Sequence, residues 1–118
     1  PYVRYYAHHS IIIDAYGVIG RQLGNVVVNS KNNFSWYKFG LLHRDNDLPA
    51  IINDNVIIWC IDGKIHRDGD APAVVDQWKT AWYKRGICQI QYYAGDTTNG
   101  HIVSDYWNEV GMSYLSKT

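Results

Sequence analysis

A single methionine, three prolines and two cysteines stand in this chain of 118 residues, and neither sign of charge is in excess, with eleven Lys and Arg against eleven Asp and Glu. Cys60 and Cys88 fall short of the disulfide framework that staples small secreted domains, which points to a reducing, cytoplasmic compartment. Balanced charge offers no electrostatic footprint for a phosphate backbone or an anionic membrane, so neither nucleic acid nor membrane is an expected partner. No apolar run approaches a membrane span and no signal peptide is visible. No Ser-His-Asp or Cys-His arrangement, paired carboxylates or phosphate-cradling glycine loop stands out, so no enzyme activity, catalytic residue or cofactor is expected.

What the chain does have is aromatic and β-branched. Ten Tyr and five Trp accompany Val and Ile, which favour strands, and ten Gly with clustered Asn and Asp supply turns. The length suits one domain with a modest core.

The strongest signal is internal. Residues 36–52, WYKFGLLHRDNDLPAII, laid over residues 59–75, WCIDGKIHRDGDAPAVV, agree at eight of 17 positions, and three more are aliphatic exchanges. Unrelated segments of that length share about one identity. The same offset of 23 carries Trp59 and Gly63 onto Trp82 and Gly86, and Trp107 with Gly111 keeps the Trp-x-x-x-Gly spacing. Backwards, Gly40 meets Gly17, Arg44 meets Arg21, and Val26–Val28 fall where Pro49, Ala50 and Ile51 stand. Full copies are expected over 34–56 and 57–79, with degenerate copies over 11–33, 80–104 and 105–118, since terminal repeats cap a stack.

Within a unit, Asp62-Gly63 is a two-residue hairpin signal, and Phe39-Gly40 and Arg85-Gly86 occupy the same site. That register sets Cys60 against Ile65 and Tyr37 against Leu42 on one face. On the other it sets Trp59 against His66 and Trp36 against His43. A polar corner follows, Asp45-Asn46-Asp47 or Asp68-Gly69-Asp70. Pro49 or Pro72 then opens a short linking strand, and Asn53-Asp54-Asn55 turns the chain into the next copy. A helix over 74–85 is rejected because the preceding copy has a β-branched run and a turn cluster at that register.

Several motifs have plain alternatives. His43-Arg44-Asp45 and His66-Arg67-Asp68 spell a kinase tripeptide without any other kinase signature. The two histidines read as structural, packed on Trp, since their register lacks further metal ligands. His8-His9 reads as an exposed pair, and the acidic corners lack the closing Glu of a calcium loop. The row Trp36, Trp59, Trp82 and Trp107 forms a stripe that is either core or, with Tyr37 and Tyr83, an open aromatic surface for a protein or a sugar.

The strings from Lys38 to Arg44 and from Gly63 to His66 resemble the Gly-Lys-x-x-His core of MORN repeats. A MORN repeat has Gly after its His where this chain has Arg44 and Arg67. The closer likeness is to tandem-repeat proteins of giant amoebal viruses and virophages carrying W-Y-x-x-G-x-x-H-R-x-x-x-x-P-A. Here that string is Trp36, Tyr37, Gly40, His43, Arg44, Pro49 and Ala50, then Trp59, Gly63, His66, Arg67, Pro72 and Ala73. The resemblance implies successive β-hairpins, no enzyme activity and a viral protein working in host cytoplasm.

The expectation is an all-β, elongated, twisted, single-layer antiparallel sheet with one hairpin per copy. Its function would be binding of a protein or of itself, as a homodimer through an edge strand or the aromatic stripe. Rival readings are a carbohydrate-binding module and a small hydrolase using the His and Asp corners.

Overall fold

The computed structural model describes residues 3–6, 11–12, 25–29 and 33–115. Twelve strands and one helix lie there. The strands are β1 (Val3–Tyr6), β2 (Ile11–Ile12), β3 (Asn25–Asn29), β4 (Asn33–Lys38), β5 (Leu41–Leu42) and β6 (Ile51–Asn53). They continue with β7 (Val56–Ile58), β8 (Cys60–Ile61), β9 (Lys64–Ile65), β10 (Val74–Asp76), β11 (Lys79–Lys84) and β12 (Ile87–Tyr93), and the helix is α1 (Gly100–Tyr114).

Nine strands follow one another in the order β12-β11-β10-β7-β6-β4-β3-β1-β2, with β5 paired to β4 and β8 to β9 as short hairpins beside this main sheet. Every pairing is antiparallel. The pairings recur at the sequence offset: Val28 faces Ser35, Ile51 faces Ile58, and Val74 faces Ala81. Likewise Asn33 faces Asn53 in one link and Val56 faces Asp76 in the next.

The local chemistry explains these elements. Phe39, Asp62 and Arg85 have φ of 50°, 51° and 52°, and Gly40, Gly63 and Gly86 have φ of 83°, 82° and 84°. Two consecutive positive φ angles make the hairpin turn that matches strand twist, and glycine at the second position avoids the steric penalty of a side chain there. The expected cross-strand pairs follow, Tyr37 with Leu42 and Cys60 with Ile65. Between strands, the Asn53 side-chain oxygen accepts the N–H groups of Asn55 and Val56 at 2.8 and 2.9 Å. Asp76 does the same for Trp78 and Lys79 at 2.7 and 2.6 Å. Such a side chain substitutes for a turn of backbone and closes each link. Residues 74–85 are strand and turn, without helix.

Two expectations need correction. The repeat register places degenerate hairpin copies over 80–104 and 105–118 of an all-β chain, yet Gly100–Tyr114 is α-helix. The Trp107–Gly111 spacing is one helical turn, and Val103, Tyr106, Trp107, Val110 and Tyr114 fall on one helical face. Nor is the sheet a bare single layer. Ile52, Ile57, Trp59, Ala73 and Val75 form a core with Val110 of α1, and Phe34, Trp36, Ile65, Tyr83, Tyr106, Trp107, Tyr114 and Leu115 pack around it. The helix packs against β10, β11 and β12, and the buried residues lie on β10 and β11 while β12 stays mostly exposed. A twisted sheet with apolar residues on one face must bury that face, and here a helix does so.

The degenerate copy over 11–33 is described only in part. Residues 25–29 form the strand that the register assigns to Val26–Val28, while Gly17 and Arg21, like His8-His9, lie outside the described residues. Among the described residues, no helix is long and apolar enough to cross a membrane.

Candidate functional site

The side chains that recur in the sequence make recurring contacts. His43 Nδ1 accepts the main-chain N–H of Asp62 at 2.9 Å, and His66 Nδ1 accepts that of Arg85 at 2.9 Å. A backbone N–H can only donate, so Nδ1 is the bare nitrogen and Nε2 carries the proton. Each Nε2–H then donates to the carboxylate two residues on, Asp45 at 2.7 Å and Asp68 at 2.8 Å. These bonds hold the Asp45 and Asp68 carboxyls below the usual range, the hydrogen bond from histidine being the main cause in both.

Neighbouring hairpins are also tied through backbone. Leu42 O accepts from Gly63 N at 2.8 Å, and Ile65 O accepts from Gly86 N at 2.8 Å. Arg44 N donates to Cys60 O at 3.2 Å, and Arg67 N to Tyr83 O at 3.4 Å. The outer edge of each short return strand is thus capped by the turn of the hairpin that follows. A Cβ added at Gly63 would meet Leu41 side-chain carbons, and one added at Gly86 would meet those of Lys64.

Arginine and tryptophan complete the unit. The Arg44 guanidinium lies 3.7 Å above the Trp36 ring and donates to Pro49 O, while Arg67 lies 3.8 Å above Trp59 and donates to Pro72 O. Arg67 also forks onto Asp47 of the preceding corner at 2.9 and 3.1 Å. Burial pushes the Arg44 guanidinium below its ordinary value. Trp59 Nε1 donates to Asp47 O and Trp82 Nε1 to Asp70 O, which fixes the polar corners against the ring edges.

The aromatic stripe is therefore largely covered. Trp59 is 2% exposed, and Trp36, Trp82 and Trp107 are half-buried. Among the described residues no arginine stacks on Trp82; Tyr92 and Tyr106 meet it edge-on at 5.8 and 5.7 Å. Trp107 belongs to the helix and packs on the core, apart from the hairpin row. Tyr37 and Tyr83 are half-buried, on strands β4 and β11. A cavity of about 190 Å³ between the two polar corners is lined by Arg44, Asp47, Trp59, Cys60, His66 and Arg67. Burial pushes the Cys60 thiol up to about 11, so it is protonated and unreactive at neutral pH. Among the described residues, no group of three His, Cys, Asp or Glu is placed to hold a metal ion.

The feature that sequence reasoning missed is β12. Hairpins one and two leave their return strand after two residues and enter the Asp corner. The third lacks the His-Arg-Asp-Pro string after Gly86, and its return strand runs on for seven residues, ICQIQYY, to the end of the sheet. Ile87, Ile90 and Tyr93 are 67%, 46% and 53% exposed. The strand contains no charged residue and no proline; one bulge, where Gln89 is passed over between the pairs Tyr83–Cys88 and Trp82–Ile90, bends its first part.

The direction of its backbone groups can be worked out. Ala81 O accepts from Ala73 N at 2.9 Å, so Ala81 turns its main-chain groups toward β10. Its opposite number on β12 is Gln91, and Lys79 two residues back faces Tyr93. These are consequently the non-hydrogen-bonded pairs, and the N–H and C=O groups of Gln91 and Tyr93 point away from the sheet. The loss of the repeat signature after Gly86 is the sequence signal that marks this open strand. Comparison with family models, curated proteins and solved structures finds no match to the chain.

Proposed function

We propose that the chain is a non-enzymatic scaffold of stacked hairpins, about 23 residues each, that binds protein by strand addition along β12. The observation that carries this reading is an uncharged seven-residue edge strand whose Gln91 N–H and C=O and Tyr93 N–H face outward, the Tyr93 C=O being taken by Asp96 N–H. Edge strands in monomeric proteins are usually guarded by charge, proline or brevity, and this one has only its bulge. The likeness of residues 36–75 to MORN repeats and to the giant-virus and virophage repeat proteins extends the proposal to a viral accessory role in host cytoplasm.

The test is Gln91→Pro. It removes an outward N–H that bonds nothing inside the sheet, so the fold is kept while the edge is blocked. A partner captured from native cells by the wild-type chain should be lost with Gln91→Pro and kept with Trp36→Phe. Equal capture by Gln91→Pro would overturn the reading.

Sugar binding draws on a different residue from the four in the stripe. Trp78 is 62% exposed, and Ala94 N–H bonds its carbonyl at 2.9 Å, which places it at the rim of the sheet where β12 ends. Quenching of Trp fluorescence by a sugar, abolished by Trp78→Ala, would favour that reading over the first.

A further inference from the structure

We infer that the occupant of the β12 edge is β12 of a second copy of this chain, paired antiparallel about a twofold axis at Gln91. The inference rests on the reading of β12 as a binding edge and names its partner. Three features of the strand support self-pairing.

The first is the set of free backbone groups. Gln91 lies in the straight run after the bulge and turns its N–H and C=O outward, so two copies meeting there exchange both hydrogen bonds by symmetry. The second is side-chain pairing. Centring on Gln91 sets Ile90 beside Tyr92 of the second copy, twice, and Gln91 beside itself. Residues 87–93 hold no charge, so the strand meets its own copy without a like-charge clash.

The third feature is charge at the ends. Exposed Arg85 stands in the turn that begins the strand, and exposed Asp96 follows its end. Asp96 N donates to Tyr93 O, and the Asp96 carboxylate accepts the N–H of Thr98 at 2.9 Å, so its position is fixed close to the strand. In the antiparallel arrangement the turn holding Arg85, where the strand begins, comes to the end of the second copy's strand, which Asp96 follows, so unlike charges share each end of the pairing. A parallel arrangement would set Arg85 against Arg85. The ends therefore select the orientation, and the neutral middle permits it.

The experiment is sedimentation velocity of the full chain from low micromolar to near-millimolar concentration, with cross-linking. A monomer–dimer equilibrium without larger species is expected. Gln91→Pro should be monomeric at every concentration with an unchanged circular dichroism spectrum. Arg85→Glu should weaken the dimer, and added salt should weaken the wild type more than it weakens Arg85→Glu.

In a Cys88→Ser background, Gln91→Cys should be joined to its mate by a short bismaleimide, since directly paired residues stand about 5.5 Å apart. Ile87→Cys should not be joined, because with the bulge at Gln89 in each copy its mate lies about six rises along, roughly 20 Å away. Cross-linking of Ile87→Cys as fast as Gln91→Cys overturns the register and with it the inference. A monomer at all concentrations overturns the inference too, and hydrogen exchange then separates the causes. Fast exchange at Gln91 N–H leaves the edge open for another protein, so the proposed function survives. Slow exchange in the monomer means the chain covers its own edge, and both readings fall.

Discussion

His43 Nδ1 receives the N–H of Asp62, nineteen residues further on, at 2.9 Å, so a side chain of one hairpin terminates the turn of the next. His66 repeats the bond with Arg85. Because these acceptors are ring nitrogens, the histidines of the repeated string work as backbone caps. Their spacing follows from where the neighbouring turn arrives.

Replacing that cap should be costly at the buried position. His43 is 8% exposed. His43→Ala strands the Asp62 N–H and loses the Asp45 bond, and should lower stability by about 2 kcal/mol in urea unfolding. His43→Asn, which presents an oxygen near the Nδ1 position, should recover part of that. His66→Ala, at a more open site, should lose less than His43→Ala.

The acid limb of stability follows from Asp45 and Asp68. Their folded pKa values lie below the unfolded carboxylate value of about 3.9. A depressed carboxylate contributes stability that is fully present above the unfolded value and is lost as pH falls through the folded one. The urea midpoint contributed by these groups should hold from neutral pH to about pH 5 and then decline with acid. The double variant Asp45→Asn, Asp68→Asn should start lower at neutral pH and show a shallower decline.

Thr80 offers a gain. It is fully buried, and its Oγ1 has no hydrogen-bond partner among the described residues, while the register one unit earlier holds Ile57, equally buried. Thr80→Val replaces the stranded hydroxyl with a methyl of similar size and should raise stability by about 1 kcal/mol, read from the thermal or urea midpoint.

The tryptophans should divide by position. Trp59→Ala opens a hole at the centre of the core beneath Arg67 and should cost roughly 3–5 kcal/mol, enough to unfold a marginal domain. Trp78→Ala, at an exposed link, should stay within about 0.5 kcal/mol. Equal losses at both positions would contradict the burial described above.

The sequence made the hairpins legible because two-residue turns leave a chemical mark. Gly40, Gly63 and Gly86 stand where a positive φ is required, and Asn53 and Asp76 stand where a side chain must cap a turn. The helix was not legible by that route. Trp107 and Gly111 match the Trp-x-x-x-Gly repeat mark, although the apolar spacing from Val103 to Tyr114 has a helical period. The covering of the Trp stripe was hidden for the same reason, since a buried face and an open face look alike until the layer above is placed. The edge at β12 needed both the sheet order and the direction of the Ala81 carbonyl, and neither is written locally in ICQIQYY.

Helix α1 packs against β10, β11 and β12 and is made after all three. On a ribosome the strands therefore emerge with Val75, Trp82 and their neighbours facing water until the segment from Gly100 to Tyr114 follows. Nascent chains stalled before Gly100 should bind hold-type chaperones, and release should coincide with arrival of Val103 and Val110. The order of synthesis makes the helix a timer for solubility.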